Sequence, residues 1–270
     1  MAKVTPRTQI VNGAKELEKF MTAALREMSK GLIDQVIKSS AKDLTPKGLD
    51  KYKDLMTDMI GDLAQDSIDQ VRKEVPAAKN VKLSELNSLP ADLKKKLKLN
   101  IDLLSQTQID DLIKALSFSY LHSYDSTDSL DIIRQDLIDG AEEWIGGNAI
   151  RAGANVTAAT VVTAARDAFF DEPAVSENIE AFVFRNGDPV TPICTQLDGT
   201  VFDKDDPDRF RFTPPLHWNC KSWIEPVVMG KLGNREIEKL ETKTTKKGLE
   251  SIQFGEALAF ALSEASKTGL

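Results

Sequence analysis

The chain has 270 residues, of which 41% are hydrophobic and 29% charged. That is enough apolar material for a sizeable core and argues against wholesale disorder. No apolar run reaches the roughly 18 residues of a membrane-spanning helix. The opening Met-Ala-Lys-Val-Thr-Pro-Arg carries no signal-peptide core, so assembly in a cytoplasm is expected.

The net charge of −7 is unevenly spread. Residues 1–100 carry 19 Lys/Arg against 14 Asp/Glu, whereas residues 101–180 carry 4 against 15. The middle of the chain therefore repels nucleic acid and suits a basic protein surface. Only two cysteines, Cys194 and Cys220, and two histidines, His122 and His217, are present. A disulfide scaffold is unnecessary at this size, and few residues can serve as metal ligands or general bases.

Ile10, Ala14, Leu17, Met21, Ala24 and Met28 recur at helical spacing and predict a first amphipathic helix. Thr45-Pro46 reads as an N-cap followed by proline. Leu49, Tyr52, Met56, Met59 and Leu63, continued by Ile68, Val71 and Val75, predict a second helix that Pro76 stops. Together they read as a helical hairpin. Short helical pieces are expected after Ser84 and after Ser88-Leu89-Pro90. The Lys94–Lys98 run, lacking interleaved aromatics, reads as a solvated face, with phosphate contact as the alternative. Ser105 is expected to cap a helix reaching about Leu121, with His122 at its end. Thr127 is expected to cap a helix carrying Leu130, Ile133, Leu137, Ala141 and Trp144, ended by Gly146-Gly147. A helix rich in Ala, Val and Thr over 148–170 contains Arg166.

The character changes near Pro173. A strand is expected at Ala181–Phe184, a turn at Asn186-Gly187-Asp188-Pro189, and short strands at Thr200–Phe202 and Ser222–Val227. From Asn234 onward the pattern is helical again, and Ala257–Leu262 reads as a docking stretch. The fold class is α+β: a mostly α-helical N-terminal region, a small turn-rich β module and a C-terminal helix. The segments are a helical docking region over 1–147, a module over 148–229 and a helical tail over 230–270.

The informative residues lie in that module. Asp188 precedes Cys194, and Leu197-Asp198-Gly199 fits a tight turn in which glycine can take positive φ. Later come Pro214-Pro215, His217, Asn219 and Cys220. His217 and Cys220 can converge from one turn, and Cys194 can meet them across a hairpin, as in a reduced zinc knuckle.

This arrangement resembles the C-terminal motif of the phage Mu F-like minor head proteins, the phage head morphogenesis domain, over about residues 150–228. Asp188, Cys194, Leu197, Asp198, Gly199, Pro214, Pro215, His217, Asn219 and Cys220 match the motif. Thr191 and Ser222 stand at two of its cysteine positions, and Lys221 stands at its arginine. Because neither Thr191 nor Ser222 is a good zinc ligand, a metal-free packed cluster of Cys194, His217 and Cys220 is expected, with no cofactor. A zinc site completed by Asp188, Asp198 or water, and a disulfide, stay open beside it.

The resemblance implies a non-enzymatic structural protein of a tailed bacteriophage head, acting in head assembly at or near the portal vertex. It implies the portal protein as partner, with major capsid protein, scaffolding protein or genomic DNA as further candidates and no membrane. Its place is then the virion head, after assembly in the host cytoplasm. Two other readings compete. A His-Asn-His-type metal-dependent nuclease needs a general base plus separate metal ligands, and the module has one histidine. A zinc-knuckle-like nucleic-acid-binding protein conflicts with the acidic charge.

Overall fold

A computed structural model describes residues 5–39, 44–75, 91–124, 129–187, 191–217 and 219–228. The predicted piece after Ser84, the cap at Thr127, and the tail over 230–270 lie outside the described residues, as do Pro76 and Asp188, whereas the piece expected after Ser88-Leu89-Pro90 is the start of a long helix at Ala91. Within them the chain is α+β, with helices leading and a small antiparallel sheet following. The long helices are α1 (Pro6–Ser39), α2 (Leu49–Glu74), α3 (Ala91–Tyr124), α4 (Leu130–Ile145) and α5 (Asn148–Phe170). The module holds α6 (Pro173–Ser176), β1 (Ile179–Arg185), α7 (Pro192–Leu197), β2 (Val201–Asp203), α8 (Pro207–Arg211) and β3 (Trp223–Val228).

The predicted stripes hold at their starts and drift along each helix. In α1 the buried residues run Ile10, Ala14, Leu17, Met21, Leu25, Met28, Leu32 and Val36, so Leu25 replaces Ala24. In α2, Ile60 and Ala64 take the places expected for Met59 and Leu63. The cause is the 3.6-residue turn: a strict 3–4 alternation slips about 20° per heptad, and an extra step of four restores the stripe.

Other expectations are corrected. α2 starts at Leu49 rather than beside Pro46; Gly48, at φ +91°, makes the entry, and its carbonyl accepts from Tyr52 N–H. Thr45 instead pairs its backbone with the Gln35 amide, 2.9 Å in each direction. Ser105 caps nothing: α3 is continuous from Ala91, and the fully buried Ser105 Oγ lies 3.8 Å from Met56 Sδ. α4 is preceded by Ser129, whose backbone carbonyl accepts from Ile132 and Ile133. Its buried face is Ile133, Leu137, Ala141 and Ile145, leaving Leu130 exposed. Gly146 ends α4 as expected, though in right-handed conformation at φ −73°. Lys95, Lys98 and His122 are exposed.

The chain divides into two compact units. One comprises Lys15–Ile60 and Lys94–Ala154 and is helical. Its core carries a polar spine: Tyr52 Oη donates to Gln108 Oε1 at 2.6 Å, and Gln108 Nε2 reaches Met21 Sδ at 3.5 Å. Burial drives the Tyr52 phenol upward from its usual range, keeping it a neutral donor. α3 and α4 pack tightly, since a Cβ on Gly140 would lie 1.9 Å from Ser119 Oγ.

The other unit comprises Met1–Ala14, Gly61–Leu93 and Asn155–Leu270. Ile10, Ala159 and Val162 form a buried cluster with Leu63 against it. Its sheet has the order β2-β1-β3 with both pairings antiparallel. Phe182 pairs with Phe202 on β2 and with Pro226 on β3. As the central strand, β1 buries five of its seven residues. Phe170 of α5 meets Phe182 at 5.3 Å between ring centroids, which seats α5 on the sheet.

Candidate metal centre

Two short elements aim the motif inward. Thr191 precedes α7, and Pro192 opens it, where a missing N–H costs nothing. Cys194 lies one turn in, fully buried, and Leu197 closes the same face. Asp198 and Gly199 then turn the chain, Gly199 at φ +80°, as the Leu-Asp-Gly pattern predicts. Asp198 Oδ1 accepts from Asn186 N–H at 2.9 Å, and Gly199 N–H donates to the Phe184 carbonyl at 2.9 Å. These bonds tie the turn to the end of β1.

The second half approaches from α8. Pro214 is buried, the Pro214-Pro215 peptide is cis, and His217 is partly buried. Cys220 N–H donates to the His217 carbonyl at 3.1 Å, so both side chains issue from one turn. Asn219, between them, is exposed. Ser222 Oγ accepts from Gly187 N–H at 3.3 Å, joining the start of β3 to the end of β1. Neither this bond nor the role of Thr191 before α7 was read from the sequence, which marked them only as departures from a cysteine pattern. The Asp206-Pro207 start of α8 was also missed. Aspartate before proline is its signal, and Asp206 Oδ1 accepts from Asp208 N–H at 2.9 Å.

The predicted convergence of Cys194, His217 and Cys220 is observed. Cys194 Sγ lies 3.3 Å from His217 Nε2 and 3.9 Å from Cys220 Sγ. One ligand atom from each residue falls within 4.8 Å of the others. Neither cysteine is in a disulfide, and both are buried. A disulfide sets its sulfurs about 2.05 Å apart, so the observed pair is two separate thiols. Asp198 is not among the converging ligand residues; its Oδ1 accepts from Asn186 N–H.

These spacings suit a tetrahedral ion. Bond lengths of about 2.3 Å to sulfur and about 2.05 Å to nitrogen place two sulfurs about 3.8 Å apart and sulfur and nitrogen about 3.6 Å apart. The Cys194 thiol, with the nearby His217 ring, holds the Cys220 thiol well below the usual cysteine range, against the opposing effect of burial. A thiolate is the form that binds metal. The group can therefore hold a metal ion, with three protein ligands in place.

Close to this unit's core lies Arg209, 2% exposed, with its guanidinium 4.2 Å from the Phe182 ring centroid and 3.2 Å from Asp171. Arg166 is buried equally and pairs with Glu74 at 2.6 Å. Arg209 thus ties α8 to the end of α5, and Arg166 ties α5 to α2. Comparison with protein-family profiles, with characterised sequences and with solved structures gives no match.

Proposed function

We propose that this chain is a structural minor head protein of a tailed bacteriophage, acting in head assembly at or near the portal vertex and without catalytic turnover. The supporting observation is that the two motif halves, with Cys194 separated from Cys220 by 26 positions, meet in one buried cluster. A motif arising by chance has no reason to close in space.

Zinc is the proposed ion. Cys194, His217 and Cys220 would hold it, and when bound it supplies a cross-link between α7 and the segment entering β3. Borderline-soft sulfur and nitrogen donors select it over calcium or magnesium. A nuclease reading gains no support: His217 is committed to the cluster, and among the described residues no second histidine accompanies it. A general base separate from the metal ligands is missing there.

Co-expression with the portal protein of the same phage, followed by size-exclusion chromatography, tests the assembly role. Comigration with portal and presence in purified virions is expected. Absence from both would reject the proposal.

A further inference from the structure

The sulfurs of Cys194 and Cys220 stand 3.9 Å apart, although 26 positions separate them in the chain. A disulfide sets them at about 2.05 Å, so roughly 2 Å of approach would join them. Cys194 sits on α7, a helix of six residues, and Cys220 lies in the irregular stretch before β3. Neither belongs to a long helix or a paired strand, so the approach need not break a ladder of backbone bonds.

His217 Nε2 lies 3.3 Å from Cys194 Sγ, within reach of that thiol's proton. Two sulfurs in near contact, with a base beside one of them, are the parts that disulfide formation uses. The same three residues would hold the metal. The two uses exclude each other, because a disulfide sulfur is no longer an anionic ligand and one histidine does not make a zinc site.

We propose that Cys194 and Cys220 are a redox pair that exchanges one cross-link for another. Reduced, the two sulfurs and His217 hold the metal; oxidised by a peroxide, the sulfurs form a disulfide and let the metal go. In either state α7 stays tied to the segment that enters β3. The metal-bound state rests on the zinc reading above, and the disulfide does not.

One sulfur, as thiolate, attacks a peroxide oxygen; the O–O bond breaks, giving a sulfenic acid and hydroxide. The other sulfur attacks the sulfenic sulfur; the S–O bond breaks, the S–S bond forms and a second hydroxide leaves. Two thiol protons, one passing through His217, turn both hydroxides into water. In the zinc-loaded chain the sulfurs carry no protons, and both come from solvent. The sulfurs lose two electrons and the peroxide gains them. The oxidant must be small, since Cys194 and Cys220 are 0% and 1% exposed and His217 is the partly exposed member of the group.

The test strips the full chain with a chelator, reloads half of it with zinc and treats both halves with hydrogen peroxide. In the metal-free half the two thiols of the chain should both disappear, with the loss of two hydrogens by intact mass. Peptide mapping should place one Cys194–Cys220 bond within a single chain, and dithiothreitol should restore both thiols. In the zinc-loaded half, zinc captured by a chromogenic chelator should appear in step with thiol loss. Cys194→Ser and Cys220→Ser should each form no intrachain bond; if either misfolds, the unsubstituted chain still decides. Thiols that persist in the folded chain while the urea-unfolded chain oxidises would overturn the proposal. So would sulfinic acid in place of the disulfide, or bonds between chains only. A disulfide in a chain that never retained zinc keeps the redox pair and rejects the zinc reading; retained zinc with no disulfide does the reverse.

Discussion

Single side chains set the chemistry of the module. The Cys194 thiol and then the His217 ring lower the Cys220 thiol below the usual cysteine range and favour its thiolate, although burial opposes the charge. Charge placed there is useful when a cation shares the site, since ligands must be deprotonated to bind. One zinc per chain by elemental analysis is therefore expected, released on acidification as the ligands take up protons. Protein purified under metal-replete conditions with no stoichiometric zinc would reject zinc and favour the packed cluster that Thr191 and Ser222 suggest. In that case Cys194→Ala is a core truncation costing about 1–2 kcal/mol in urea unfolding. Asp167, on α5 beside Arg166, Asp171 and Arg209, shows the opposite balance. Burial pushes its carboxyl up to about 6, against the Arg209 guanidinium. The folded chain then holds this proton more tightly than the unfolded chain, so this group's contribution falls as pH rises from about 4 to about 6. The side chain keeps partial solvent contact, so only part of the shift bears on stability. Asp167→Asn should raise stability by about 1 kcal/mol at pH 7 and leave it unchanged at pH 4. Urea unfolding at the two pH values checks this.

At the scale of elements, the module depends on one close backbone approach. A Cβ on Gly187 would fall 1.8 Å from the Lys221 carbonyl oxygen, and Gly187 N–H is donated to Ser222 Oγ. The end of β1 and the start of β3 therefore meet through bare backbone. Gly187→Ala must part them and should cost about 3 kcal/mol, read as a lower urea midpoint. Ser222→Ala leaves the backbone in place and removes one hydrogen bond, so it should cost about 1 kcal/mol. Equal effects of the two substitutions would show that steric approach is not what matters at this junction. A second junction joins α2 to α5. Arg166 is buried, and Glu74 neutralises it at 2.6 Å. Arg166→Ala should cost about 3–5 kcal/mol by leaving a partly buried carboxylate without its cation. Combining it with Glu74→Ala should cost less than the two single losses added together.

For the whole molecule, each of the two units is built from separated stretches of chain, with α1, α2, α3 and α5 contributing residues to both. A metal in the module belongs to one unit only. Chelation is therefore expected to lower the near-ultraviolet signal of the β module while most far-ultraviolet helicity persists, because metal-binding energy is folding energy for the residues that it links. Complete loss of helical signal on chelation would contradict this separation. Purified protein should show no metal-dependent plasmid nicking, and His217→Ala should abolish none. Reproducible nicking lost in that variant would establish the nuclease reading instead.

Periodicity by itself determined that the described parts of the first 170 residues are mostly helical and, to within a residue, which sides of those helices face inward, because apolar spacing records burial directly. Turn chemistry determined the strand at Phe182–Phe184, the turn at Gly199 and the order α-then-β. The pairing of Cys194 with His217 and Cys220 was also legible, since two residues in one turn and one across a hairpin leave few ways to converge. What the tertiary structure decided lay where a residue's role depends on a distant neighbour. Ser105 has the composition of a cap, yet it is buried because Met56 packs against it across the helix pair. Leu25 displaced Ala24 because helical phase accumulates over 34 residues, and the neighbouring helices select the phase that fits. Asp198 was a candidate ligand, and the fold places it outside the converging group. Nothing in the sequence marked Arg166 or Arg209 as buried; their packing over Phe170 and Phe182 is a feature of the tertiary structure.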